Sequence, residues 1–266
     1  MTMNPSKTFN DFLTLIGNSE IEKAYQILVS NQFSSEEKKI AEELQRILTS
    51  HFIRQRQSKL NGLINLKRSG FNPNFVIDVG AQTGTPELYN TFPDSRHIFI
   101  EPVNECLDVL NEIAKNLTHA SILNCAISNF NGESNISLTD SKQYSSIDEV
   151  IGSENRTIEV QTIDSICEEF KITGQVLLKI DVDGPEVKVL QGSKKLLKQG
   201  CVIVIEASMA DEKPRFSQVV DYLSSYGYEV FDMVDPLYRQ SDWHLWQVDL
   251  IFIKKDSPLW GPKTYI

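Results

Sequence analysis

This sequence predicts an α/β fold, a mostly parallel sheet covered by helices on both faces, and three observations carry the prediction. From Pro73 onward, short apolar runs alternate with helical stretches, the pattern of repeated βαβ units. Several of these runs end in acids followed by glycine or proline, so strand passes to helix through tight turns. With 266 residues and 41% apolar content, the chain can bury a full core.

Taken in order, the helices come first. Phe9 to Ile16, Ile21 to Val29 and a long segment opening at Ser34 read as helical, the last with Glu37 three residues on as a capping box. Ile40, Leu44, Ile47 and Leu48 fall at helical spacing and form an apolar stripe that must pack on something. Residues 1–70 therefore read as an N-terminal helical extension and residues 71–266 as the main domain. The strand candidates are FVIDVG (75–80), HIFIEP (97–102), SILNCAIS (121–128), VLLKID (176–181), CVIVIEA (201–207), YEVFDMV (228–234) and QVDLIFIKK (247–255). A loop rather than a helix joins the last two, so they are expected to pair antiparallel at one edge. The polar, Ser-, Asn- and Gly-rich stretch from Asn129 to Ile158 reads as a hairpin or loop crossing near the site.

Charge and cysteines narrow the function classes. A net charge of −10 argues against nucleic acid as a partner, which needs a broad basic surface. From Leu44 to Ile77 there is no acid, while Arg46, Arg54, Arg56, Lys59, Lys67 and Arg68 leave −16 for the rest of the chain. A solvated helix face beside an acidic body accounts for this plainly; an anionic substrate or a docking surface is the other reading. Cys106, Cys125, Cys167 and Cys201 are far apart, with no CxxC pair, so buried free thiols are expected. No basic leader and no segment of about 18 apolar residues is present, which points to a cytoplasmic protein without a membrane span.

The chemistry gathers at the strand ends, where open α/β sheets bind ligands. The first strand runs through Asp78 into the turn Gly80-Ala81-Gln82-Thr83-Gly84, with Thr85 as helix cap and Pro86 as first helical residue. The spacing is GxxxG, so the GxGxxG fingerprint of dinucleotide enzymes is absent. The second strand ends in Glu101-Pro102, about 20 residues on, where an acid suits the two ribose hydroxyls of a nucleoside. Together they suggest an adenosine-type ligand without a diphosphate, favouring S-adenosyl-L-methionine over NAD.

DVGAQTG, FIEP, VQTIDSI, LLKIDVDGPEVKVLQGS and WQVDLIFIKK together resemble the FkbM family of S-adenosylmethionine-dependent methyltransferases, over about residues 72–256. KIDVDGPE is the most specific part; the family pattern usually reads KIDVEGAE, and Asp183 and Pro185 keep the charge and the helix start. Gln82 stands where the family often has Asn. The resemblance implies the class I methyltransferase (Rossmann-like) fold, a seven-stranded, mostly parallel sheet with an antiparallel last strand, and methyl transfer to an oxygen of a sugar or other metabolite. It further implies that Asp78, Gly80, Ala81, Gln82 and Gly84 border the methionine and ribose. Glu101 and Pro102 would then hold the ribose, and Cys125, Ala126 and Ile127 would flank the adenine. Residues 1–70 are not covered and inherit no function from it.

An alcohol acceptor must lose a proton, which calls for a carboxylate or imidazole. Asp181, Asp183, Glu206 and His244 are the candidates, with Asp181 placed where the sheet order reverses and so facing the methyl group. An acid after four apolar residues in VIVIEAS would be costly unless Glu206 met a cleft or a partner. For Asp181 and Asp183, capping the next helix is the structural alternative, and Glu186 reads as a surface acid favoured by the helix dipole. Trp243 and Trp246, beside His244, either line an acceptor pocket or cover the core. Asp181, Asp183 and Glu206 offer oxygen ligands suited to a hard cation, yet nothing in their spacing demands one, so a divalent metal is not expected. A non-catalytic cofactor-binding module and a nicotinamide-dependent oxidoreductase are the rival functions. The apolar stripe of the N-terminal helices is expected either to lid the acceptor pocket or to pair two subunits in a homodimer.

Overall fold

The computed structural model describes residues 6–17, 24, 27, 33–44, 58–139, 145–146, 154–182, 184, 186–209 and 215–261. The chain divides into two units, Met1–Arg56 and Gln57–Ile266. In the first, the helix Lys7–Gly17 and the helical residues 35–44 contribute to a small core of Phe9, Phe12, Ala24 and Ala41. The capping box at Ser34 forms as expected. Glu37 Oε2 accepts from the Ser34 N–H at 2.9 Å, and the Glu37 N–H donates to Ser34 Oγ at 3.3 Å. The apolar stripe differs from the expectation: Ala41 and Leu44 pack inward, while Ile40 is 43% exposed. Of the helix expected over Ile21 to Val29, Ala24 and Ile27 are described, and both are helical. Ile47, Leu48, Arg46, Arg54 and Arg56 lie outside the described residues.

The second unit holds a seven-stranded sheet. Its strands are β1 (Phe75–Val79), β2 (Arg96–Ile100), β3 (Ala120–Leu123), β8 (Val176–Ile180), β9 (Val202–Ser208), β10 (Tyr228–Tyr238) and β11 (Leu245–Lys254), in the order β10-β11-β9-β8-β1-β2-β3. β1, β2, β3, β8 and β9 run parallel, and β11 runs antiparallel to both β9 and β10. This is the mostly parallel sheet the resemblance implied, with β10 at the edge and the reversed β11 one place in. The chain order reverses between β8 and β1, which leaves a crevice at their carboxyl ends.

Side-chain alternation sends Ile77, Leu178, Ile203 and Leu250 to one face, under the helices Ile163–Glu169 and Arg215–Ser225. Val76, Leu177, Val204 and Ile251 face the other way, under the helix Lys59–Arg68. That helix falls within the span the sequence assigns to the extension. Its Leu63 and Leu66 are fully buried in the core of the second unit.

The run SILNCAIS does not form one strand. β3 stops at Leu123, and β4 (Ala126–Ile127) belongs to a second sheet with β5 (Gly132–Leu138), β6 (Ser145–Ser146) and β7 (Glu154–Gln161), in the order β4-β7-β5-β6. Asn124, at the break, donates from Nδ2 to the carbonyls of Glu101 and Pro102 instead of continuing the ladder. β5 and β7 pair antiparallel, as the hairpin reading of the Asn129 to Ile158 stretch anticipated.

Candidate active site

The site begins at the turn after β1. Gly80 sits at φ +70°, and a Cβ there would lie 1.8 Å from the Asp181 carbonyl oxygen, so no other residue fits. Gly84, at φ +96°, would drive a Cβ to within 2.5 Å of Ile113. At Gly80 the Asp181 backbone demands glycine, and at Gly84 the left-handed φ favours it. Gln82 also takes a left-handed conformation, φ +45°. Its N–H donates to Glu101 Oε2 at 2.8 Å, and the Val103 N–H donates to Oε1 at 2.8 Å, so the acid ending β2 fastens the turn to its strand. Glu101 is 4% exposed; burial pushes its carboxyl above the usual carboxylate range, against the pull of these two N–H groups. Thr85 caps the following helix by position only. Its side chain makes no cap bond, and its N–H is taken by the Tyr89 hydroxyl.

Across the crevice the strand register lines up charge. Asp78 on β1 lies opposite Lys179 on β8, and Glu206 on β9 lies opposite Asp249 on β11. The Lys179 ammonium is 3.0 Å from Asp78 Oδ1 and 3.3 Å from Asp181 Oδ2, and it donates to the Gly80 carbonyl at 3.1 Å. Burial opposes its charge, but the two carboxylates overcome it and raise its pKa. Tyr89 donates its hydroxyl to Asp78 Oδ2 at 3.2 Å. Further along the row, Lys59 Nζ pairs with Asp249 at 2.7 Å, and the Gln247 amide donates to Glu206 Oε2 at 2.5 Å. Burial, then the charges of Asp181 and Asp249, push the Glu206 carboxyl up to about 8. Burial likewise raises Asp249, with Lys59 pulling the other way.

Asp78, Gly80, Asp181, Glu206 and Glu101 therefore converge on one end of the sheet. Ala81 is buried and Pro102 half-buried beside them. Cys125 and Ile127 pack into the hydrophobic core with Ile163 and Ile166, and Ala126 is also buried. Burial pushes the Cys125 thiol up to about 12. His244 stands apart, with its side chain 78% exposed on the loop between β10 and β11 and Nδ1 3.4 Å from Asp242. Trp243, 78% exposed, and Trp246, 39% exposed, do not cover the core. Asp183 and Pro185 lie outside the described residues. Glu186 is no surface acid: it is 2% exposed and pairs with Arg215 at 3.0 Å, because its helix lies against the helix Arg215–Ser225.

Lys179, Asp249, Gln247 and Lys59 are the site members that motif reading passes over. A signal existed for two of them, since a charge inside a strand buried on both faces must have a partner. Lys179 interrupts VLLKI and Asp249 interrupts VDLIFI. Among the described residues, no group of His, Cys, Asp or Glu is arranged to hold a metal ion.

The donor set fits S-adenosyl-L-methionine. Two carboxylates around one ammonium leave negative charge for a sulfonium and an α-ammonium, and each Glu101 oxygen keeps a lone pair after accepting one N–H. A sheet of this order with one reversed strand, polar at the carboxyl ends of β1, β2 and β8, has the class I methyltransferase fold. Residues 78–230 match the family described as Methyltransferase FkbM domain, and the chain belongs to that family. It is a methyltransferase dependent on S-adenosyl-L-methionine. Among solved structures, precorrin-6y C5,15-methyltransferase from Geobacter metallireducens GS-15 is similar at 14% identity and TM-score 0.43, covering 73% of this chain and 87% of that one. The N-methyltransferase NodS from Bradyrhizobium japonicum WM9, in complex with S-adenosyl-L-homocysteine, is similar at 13% identity and TM-score 0.41, covering 76% and 91%. The search of curated proteins gave no match.

Proposed function

We propose that this methyltransferase acts on oxygen, moving the methyl group to a hydroxyl of a small metabolite, sugar or glycan. The observation that carries the reading is Glu206: a carboxyl at about 8, beside Asp181 and bonded to Gln247, takes up a proton near neutral pH. A base matched to the working pH contributes about 10²- to 10⁴-fold, and an alcohol needs one. In this reading Glu101 holds the ribose hydroxyls. The turn from Gly80 to Gly84, with Asp78, borders the methionine and ribose, and Cys125, Ala126 and Ile127 flank the adenine. Asp181 faces the methyl group, and Glu206 accepts the hydroxyl proton. When bound, the cofactor supplies an electrophilic methyl on a sulfonium. Holding acceptor oxygen, carbon and sulfur in line is the larger contribution, about 7–11 kcal/mol for well-oriented reactants. His244, out in solvent, is the weaker candidate for the base.

The reading also takes the protein to work in the cytoplasm on a small acceptor, without nucleic acid and as a homodimer through its N-terminal helices. All four cysteines are unpaired, as a reducing compartment requires. No helix among the described residues is long and apolar enough to cross a membrane. The test is incubation with methyl-labelled S-adenosyl-L-methionine and matched panels of hydroxyl, amine and carbon acceptors. Label in an ether, lost in Glu206→Gln, is expected; label on nitrogen or carbon alone overturns the reading.

A further inference from the structure

We propose that Lys179 is a positioning residue for the cofactor, setting the turn after β1 and the acid that ends β8 in one fixed arrangement. The inference rests on the reading that this crevice binds S-adenosyl-L-methionine. Lys179 is 3% exposed on a strand buried throughout. Its ammonium donates to the Gly80 carbonyl at 3.1 Å and lies in ion-pair contact with two carboxylates, Asp78 Oδ1 at 3.0 Å and Asp181 Oδ2 at 3.3 Å. These three oxygens belong to three different parts of the crevice: strand β1, the glycine turn and the end of β8.

The turn is thus gripped from both sides. Glu101 holds the Gln82 N–H from β2, and Lys179 holds the Gly80 carbonyl from β8. The backbones of turn and strand end are already in contact, with the Asp181 N–H donating to the Val79 carbonyl at 3.1 Å. What Lys179 adds is control of the side chains: without it, Asp78 and Asp181 face each other as like charges across the turn. Replacing a buried ion cluster by apolar residues often leaves stability unchanged or raises it, so stability alone does not account for a lysine here. Fixed geometry for a ligand does.

Lys179→Met and Lys179→Arg, in the full chain, test this by calorimetric titration with S-adenosyl-L-homocysteine from pH 6 to pH 9. Circular dichroism and melting temperature report the fold. Wild type must bind S-adenosyl-L-homocysteine; if it does not, the cofactor reading itself fails, whatever the variants do. Given wild-type binding, Lys179→Met is expected to fold and to bind at least tenfold more weakly at pH 8. Its affinity should depend on pH more steeply than that of wild type. The groups that face the cluster are Glu206 on β9, Asp249 on β11, Glu101 and His97 on β2, Tyr89 on the helix after the turn, and Lys59 on the helix above. Wild type, with its ammonium held charged, should show a flatter profile. Lys179→Arg, which keeps the charge but spreads its donors over a fork, should fall between the two. Wild-type affinity and pH profile in whichever variant folds overturn the proposal. Failure of both to fold also overturns it, assigning the lysine to folding rather than to the site.

Discussion

Glu206 carries the most testable chemistry at the scale of single residues. Its carboxyl is ordinary in the unfolded chain and about 8 in the folded one, so the folded state holds the extra proton between those limits. Glu206 therefore adds stability at acid pH and loses it as pH rises toward about 8, and Glu206→Gln should melt above wild type at pH 8.5 in a thermal scan. As a base it works only when ionised. Turnover should climb with pH and level off above about 8, and Glu206→Gln should lower it by about 10²- to 10⁴-fold while S-adenosyl-L-homocysteine binding stays within about threefold. Gly80 gives a second prediction. Alanine there places a methyl against the Asp181 carbonyl at φ +70°, and urea unfolding should register a loss of at least about 2 kcal/mol. The acids of this site were legible because acids at strand ends are conspicuous against apolar runs. Lys179 and Asp249 were equally visible as interruptions, but which partner answers a buried charge depends on strand order, and the sequence alone leaves that open.

Between elements, the tie from the helix Lys59–Arg68 to β11 matters most. Lys59 reaches Asp249, which is 5% exposed, and the Lys59 N–H donates to Asp235 Oδ1 at 3.0 Å. Lys59→Met should cost about 3–5 kcal/mol in denaturant unfolding, because it strands a buried carboxylate, and Lys59→Met/Asp249→Leu should recover most of that loss. One member of the basic run thus points into the site row rather than lying on a solvated face. Gly62 lets the helix approach closely, since a Cβ there would lie 2.8 Å from Ile251. The mostly parallel run of the strands followed from the alternation of runs and helices, and the antiparallel pairing of the last two from the loop that joins them. The division of SILNCAIS between two sheets did not, because an apolar run carries no mark of which sheet it joins; the break depends on Asn124 bonding to the end of β2.

For the whole molecule, the question is where the catalytic unit starts. The sequence changes character after Gly70, yet Leu63 and Leu66 are fully buried in the same core as Val76 and Ile251, and Lys59 completes the charged row. Residues 57–266 expressed alone should fold and bind S-adenosyl-L-homocysteine, whereas residues 71–266 should fail to give a cooperative unfolding transition. The lost leucines alone remove about 2–5 kcal/mol each. Composition hid this boundary because the helix is polar on its outer face and carries part of the basic run.

The account as a whole requires the methyl donor to sit over the turn that Glu101 fastens. Calorimetry of S-adenosyl-L-homocysteine with wild type and Glu101→Ala tests that most directly. The account predicts measurable binding to wild type and a loss of more than tenfold in the folded variant. Equal affinity in the two proteins, or no heat with either, would contradict it.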